Sequence, residues 1–162
     1  MKHTLVALIF ILPTALPAQE YDVPRDYLGI EASLDANITA CLQNSRSYQG
    51  DLRCGTALYD ICTSIAPDGD TTAGLAICGG VISNVLDRQM NVIWRELRRG
   101  MSPDPFQDLL EEQRNWLAFR KSETRAAAQR NSGGSMGAYT GWLRYVDMSS
   151  ERVARLREIF RG

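Results

Sequence analysis

Few side chains in this 162-residue sequence can do acid–base, nucleophilic or metal chemistry, and their placement excludes most of it. The single histidine is His3, inside an opening stretch that runs Met1-Lys2-His3-Thr4, then apolar from Leu5 to Leu12, then Pro13-Thr14-Ala15-Leu16-Pro17-Ala18. A charged start, a short apolar run and a small-residue cleavage site predict a secretory signal over residues 1–18. Residues 19–162 then form a mature chain without histidine, which removes Ser-His-Asp and Cys-His nucleophiles and every histidine metal site. Glu111 and Glu112 are the obvious carboxylate neighbours. Adjacent helical positions point about 100 degrees apart, so the two do not flank one glycosidic bond, and a carboxylate-based glycan hydrolase is the least supported reading. No catalytic residue is assigned, and no metal, nucleotide or haem cofactor is expected.

The four cysteines, Cys41, Cys54, Cys62 and Cys78, all follow the leader. An even count in an exported chain reads as two disulfides, and the absence of a CxxC pair argues against zinc. No cysteine lies at the cleavage site to carry a lipid, and no later apolar run is long enough to span a membrane. A periplasmic or secreted protein with no membrane anchor in the mature chain is expected. Charge is unevenly spread: residues 19–80 hold three basic and nine acidic side chains, a net of −6, while residues 81–162 hold 14 basic and ten acidic ones, a net of +4. An acidic half favours a cationic partner over nucleic acid, or is simply a solvated face.

The elements that must position these residues read as helices. Leu28, Ile30, Leu34, Ile38 and Leu42 predict an amphipathic helix over residues 26–42. A second is expected over Leu52–Ile65, ended by Pro67-Asp68-Gly69-Asp70, and a third runs from a Thr71 or Thr72 cap to Arg99. Ser102-Pro103 opens a fourth, which fades after Ala126-Ala127-Ala128. Asn131-Ser132-Gly133-Gly134-Ser135 breaks it, and a last helix or helix pair spans about residues 138–159, with Ser149 or Ser150 able to cap its final segment. The prediction is an all-α, disulfide-bonded bundle of about five to six helices in one domain, residues 19–162. Antiparallel hairpins would bring Cys41 to Cys54 and Cys62 to Cys78, the favoured pairing among three.

Polar residues interrupt the apolar stripes. Gln113 and Arg120 share a face with Leu109, Trp116 and Leu117, and a guanidinium on a core-facing stripe demands a partner. Asp87 and Asn91 on the preceding helix are the candidates, predicting a clamp of Asp87, Asn91, Gln113 and Arg120.

In these residues the sequence resembles the LprI-like lysozyme inhibitor family. The ordered pieces are Leu86-Asp87, Asn91, Trp94 and Leu97, then Gln113, Trp116-Leu117 and Arg120, then Gly133-Gly134-Ser135-Met136, then Ser149, Arg152 and Leu156. The family's pattern is LD, LN, an aromatic, Q-x-x-W-L-x-x-R, a Gly-Gly-Ser loop and a closing T-x-x-R. The family also carries a cysteine pair at places that are Thr124 and Arg144 here, so one family bridge is missing. The resemblance implies a helical, exported protein that binds a C-type lysozyme or other cationic envelope protein and blocks its cleft. The small, polar loop Asn131, Ser132, Gly133, Gly134, Ser135 and Met136 is the candidate to enter a sugar-binding groove. The alternative class is a non-catalytic envelope protein docking through Trp94, Trp142 or Tyr139.

Overall fold

A computed structural model describes residues 20–131 and 134–162; the expected leader lies outside the described residues. A 3-10 turn at Arg25–Tyr27 leads into α1 (Leu28–Asn44), α2 (Tyr48–Thr56), α3 (Leu58–Ile65), α4 (Thr72–Gly100), α5 (Pro103–Arg130) and α6 (Gly134–Arg161). No strand occurs among the described residues, so the protein is the all-α, disulfide-bonded bundle that the periodicity predicts.

α4 is the central element. Its apolar and small residues, including Val81, Ile82, Val85 and Leu86, are buried around the helix, because α1, α3 and α6 all pack on it. Thr71 starts it by accepting a hydrogen bond from the Gly74 N–H at 3.0 Å, and Arg98 and Arg99 lie in its last turn, where a positive charge suits the helix dipole. In α1 the stripe Ile30, Leu34, Ile38 and Leu42 is buried, whereas Leu28 falls off it and is exposed.

Two expectations about helix continuity change. The single helix over Leu52–Ile65 is two, α2 and α3, with the break at Ala57. α2 begins earlier, where the Ser47 hydroxyl accepts from the Gly50 N–H at 3.1 Å. It lies against α6 at Gly55, where an added Cβ would sit 3.1 Å from the Ser150 Cα. The turn at Ala57 then lets Leu58 and Cys62 face the core. Conversely, α6 is one helix, so Ser149 and Ser150 cap nothing. They are buried small residues at mid-helix, where α6 presses on its neighbours.

The first half is tied covalently. Cys41–Cys54 links the end of α1 to α2 and Cys62–Cys78 links α3 to α4, with Cα atoms 5.7 and 5.8 Å apart. In the chain-entropy picture each bridge contributes about 3 kcal/mol by constraining the unfolded chain.

Three of the nine acids of residues 19–80 are paired within the bundle. Arg88 of α4 pairs with Glu31 at 2.8 Å and Asp35 at 3.4 Å on α1. Asp51 of α2 is fully buried between two α6 arginines: Arg161 donates to its Oδ2 at 2.6 Å, and Arg157 Nε stands 3.0 Å from Oδ1 without an aligned hydrogen bond. Arg157 also donates to the Leu42 carbonyl at 2.6 Å, tying down the end of α1. Acids of the first half and bases of the second therefore meet across helix interfaces.

An extended arm precedes the 3-10 turn. The Asn84 side chain of α4 accepts from the Tyr21 N–H at 2.8 Å and donates to the Tyr21 carbonyl at 2.9 Å, as a neighbouring strand would. The Tyr21 ring lies on Gly80, where an added Cβ would be 2.7 Å from it, and meets Trp142 edge-on at 5.4 Å.

Candidate functional site

The motif residues of α4, α5 and α6 converge on Arg120. Its Nη1 donates to Asp87 Oδ1 at 2.7 Å and to Ser149 Oγ at 2.9 Å, while the Tyr145 hydroxyl donates to Asp87 Oδ2 at 2.7 Å. The guanidinium lies over the Tyr145 ring, 3.9 Å from its centroid, and within 4.8 Å of the Trp116 centroid. Asp87 and Arg120 are both buried, and their pair, with Ser149 and Tyr145 of α6, holds α4, α5 and α6 in one register. Burial first, then the Asp87 carboxylate, raise the Tyr145 phenol far above its ordinary range. That keeps it a hydrogen-bond donor.

The other two clamp candidates lie elsewhere. Gln113 accepts from Arg152 Nε at 2.7 Å, and Arg152 Nη1 also reaches Glu112 at 2.5 Å. Asn91 is exposed and makes no hydrogen bond among the described residues. Gln113 and Arg120 are seven residues apart, about 10 Å along the helix, so one carboxylate cannot serve both. Arg152 and Ser149, three apart on one face of α6, supply the missing partners. The signal for them was their spacing on the apolar stripe of Val153 and Leu156.

The hairpin of α5 and α6 carries the loop. Its tip connection is shorter than expected, residues 131–133, because α6 begins at Gly134 and so contains Ser135 and Met136. Gly134 adopts φ +66°, in open space, which a residue with a Cβ would resist. Ser132 and Gly133 lie outside the described residues. Asn131, Gly134, Ser135 and Met136 are exposed, Met136 by 47%. Just behind them, the Asn131 amide donates to Thr140 Oγ1 at 3.1 Å, and that hydroxyl lies 3.2 Å from the Ala127 carbonyl. Gly137 lets the helices touch, since a Cβ there would sit 2.9 Å from the Ala128 carbonyl. At the places where the resemblance implies a further bridge, Arg144 pairs instead with Glu123 at 3.0 Å, and Thr124 is half-buried. Polar contacts and close helix approach brace the loop end without a covalent tie.

The same end of the bundle collects aromatic residues. Tyr59 of α3 meets Tyr139 of α6 edge-on at 6.3 Å, and Trp142 packs on Gly79 and Tyr145. Burial raises the Tyr59 phenol far above its ordinary range, with Tyr139 and Asp147 adding to it. Trp94, at the other end of α4, packs on Phe106 at 5.2 Å. Both tryptophans named as docking candidates are therefore half-buried in aromatic contacts. Glu111 is exposed and Glu112 faces Arg152, so the two carboxylates have different surroundings. Among the described residues no group of three or more His, Cys, Asp or Glu side chains is placed to hold a metal ion, and no helix is long and apolar enough to cross a membrane.

No curated protein and no solved structure matches the chain. A family model does: the one described as lysozyme inhibitor LprI matches residues 62–156, from the second cysteine bridge through the Arg120 and Arg152 nodes. With well over half of the chain matched, and with the matched motif residues meeting around Arg120, the chain belongs to the LprI lysozyme inhibitor family.

Proposed function

We propose that this protein binds a cell-wall lytic enzyme of the lysozyme type and blocks its cleft with the loop-bearing end of the bundle, Asn131 to Met136. The observation that carries this reading is membership of an inhibitor family over residues 62–156. The exposed Asn131, Gly134, Ser135 and Met136 support it, with the Asn131 amide already held by Thr140, because groups held in place lose little freedom on entering a groove. Six acids, Glu20, Asp22, Asp26, Asp60, Asp68 and Asp70, are exposed and form no ion pair among the described residues, which favours a cationic partner such as a C-type lysozyme. In this reading residues 1–18 are removed on export, residues 19–162 form one periplasmic or secreted domain, and the protein performs no catalysis of its own. The half-buried state of Trp94 and Trp142 gives the alternative, an envelope protein docking through its aromatics, less support.

The test mixes purified protein with C-type lysozyme and follows clearing of a cell-wall suspension. The expected result is slowed clearing and a one-to-one complex on a sizing column. Undiminished clearing at large molar excess, with no complex, would sink the reading for that lysozyme class. Reducing sugar released by the protein alone would instead favour the hydrolase class.

A further inference from the structure

We propose that a groove between α1 and α4 is a second binding site, for a sugar that carries both hydroxyl or acetamido groups and a carboxylate. The groove has a volume of about 440 Å³ and is lined by Asp35, Thr39, Arg88, Gln89, Asn91, Val92 and Arg95, with the Asp35 carboxylate 3.4 Å from Arg88. That is within the usual size range of small-molecule sites. It opens beside a smaller hollow of about 160 Å³ that shares Arg88 and Asn91 and is completed by Glu20, Asn84 and Asp87.

The walls are already fixed. Arg88 is held by Glu31 and Asp35, and Gln89, nine-tenths buried, donates to Thr39 Oγ1 at 3.0 Å. The remaining groups have no partner among the described residues. They are the Gln89 Oε1, both ends of the exposed Asn91 amide, and the exposed Arg95 guanidinium. Val92, 44% exposed, adds an apolar face. On α4 Arg88, Asn91, Val92 and Arg95 are spaced by threes and fours and line one face of the helix, with Gln89 at its edge beside α1.

Each free group asks for a particular ligand chemistry. Arg95 asks for an anion, and its fork suits a carboxylate. The Asn91 and Gln89 amides suit hydroxyl and acetamido groups, and Val92 suits a methyl or ring C–H face. A carboxylate-bearing N-acetyl sugar meets all four. Asn91 thereby gains a role: it belongs to the motif series, yet the fold does not use it. The site is separate from the loop, lying toward the far end of α4, at least nine residues and so about 13 Å beyond Gly79, which packs on Trp142 at the loop end.

The experiment is a nuclear magnetic resonance titration of the purified protein with a disaccharide of N-acetylglucosamine and N-acetylmuramic acid. Chitobiose, its neutral counterpart, and inorganic phosphate are run in parallel. The expected result is saturable shifts of the Asn91 and Gln89 side-chain amides with the acidic disaccharide, with binding weakened about tenfold in Asn91→Ala and in Arg95→Gln. Both residues are exposed, so both variants should fold, and both should leave lysozyme inhibition unchanged. Absence of saturable shifts at millimolar disaccharide would overturn the site. Phosphate binding as tightly as the disaccharide would overturn the sugar assignment and leave a bare anion contact. Equal affinity for chitobiose would overturn the role given to Arg95.

Discussion

The two halves of the molecule hold together by different means. Helices α2 and α3 are short, nine and eight residues long, and one disulfide ties α2 to the 17-residue α1 while another ties α3 to α4. Helices α5 and α6 have 28 residues each, and no disulfide reaches them. Arg120 and Arg152 hold them in place. Short helices bury too little apolar surface to fix one another, so covalent closure substitutes for contact area. Long helices have the area but can slide, and a buried charge network that fits in only one register stops the sliding. The half without bridges is also the one that carries the exposed Asn131, Gly134, Ser135 and Met136 of the proposed binding end.

Breaking the network should have the largest effect. Arg120→Ala leaves Asp87 buried without its countercharge and is expected to destabilise by about 3 to 5 kcal/mol. Urea denaturation measures this, and a loss below about 1 kcal/mol would mean the two halves do not differ as described. Replacing Cys62 and Cys78 together by Ala should cost about 3 kcal/mol, through the unfolded chain. The sharper test is additivity: the Arg120 and double-cysteine effects should sum, because they act on separate halves.

Alkali should act on the second half through Tyr145. Its folded-state pKa is raised above the value of 10 for a free phenol, so the folded chain holds that proton more tightly. The associated stability is intact below pH 10 and is lost as the pH climbs above it. Tyr145→Phe should make the alkaline fall in stability shallower by about one proton, read from denaturation midpoints between pH 9 and 11. An unchanged slope would contradict the buried donor role. The smallest effect belongs to the pair that stands near the missing bridge. Arg144 and Glu123 are each about one-third exposed, and Arg144→Ala should change stability by less than about 1 kcal/mol. A loss as large as that of a disulfide would show that this ion pair does a covalent bond's work, and the contrast between halves would fail.

What the sequence made legible followed from local rules. Periodicity gave α1, α4 and α5, turn chemistry gave the 67–70 connection, and hairpin geometry gave the cysteine pairing that the structure contains. The Asp87 to Arg120 pairing was also readable, since a guanidinium on an apolar stripe has few possible partners. What stayed hidden depends on contacts distant in sequence. Asp51 lies 106 and 110 residues from Arg157 and Arg161, and nothing near it in sequence marks it as buried. Asn84 looks like an ordinary helix residue until the arm lies beside it. Ser149 and Ser150 carry the composition of a cap, and only the packing of α6 on α2 and α4 shows why small residues sit at mid-helix. For the loop, α6 begins within the stretch that glycine content marks as a break, because a first turn tolerates Gly and Ser that a helix interior does not.

The Asp51 node makes the end of α6 matter to the start of the bundle. The family match ends at residue 156, one position before Arg157. A chain cut there would keep every motif residue yet lose both arginines that neutralise Asp51, leaving a carboxylate enclosed by α2 and α6 with no counterion. The recurring pattern of the family therefore stops just short of the two arginines that neutralise Asp51, and that last stretch of α6 protects the rest.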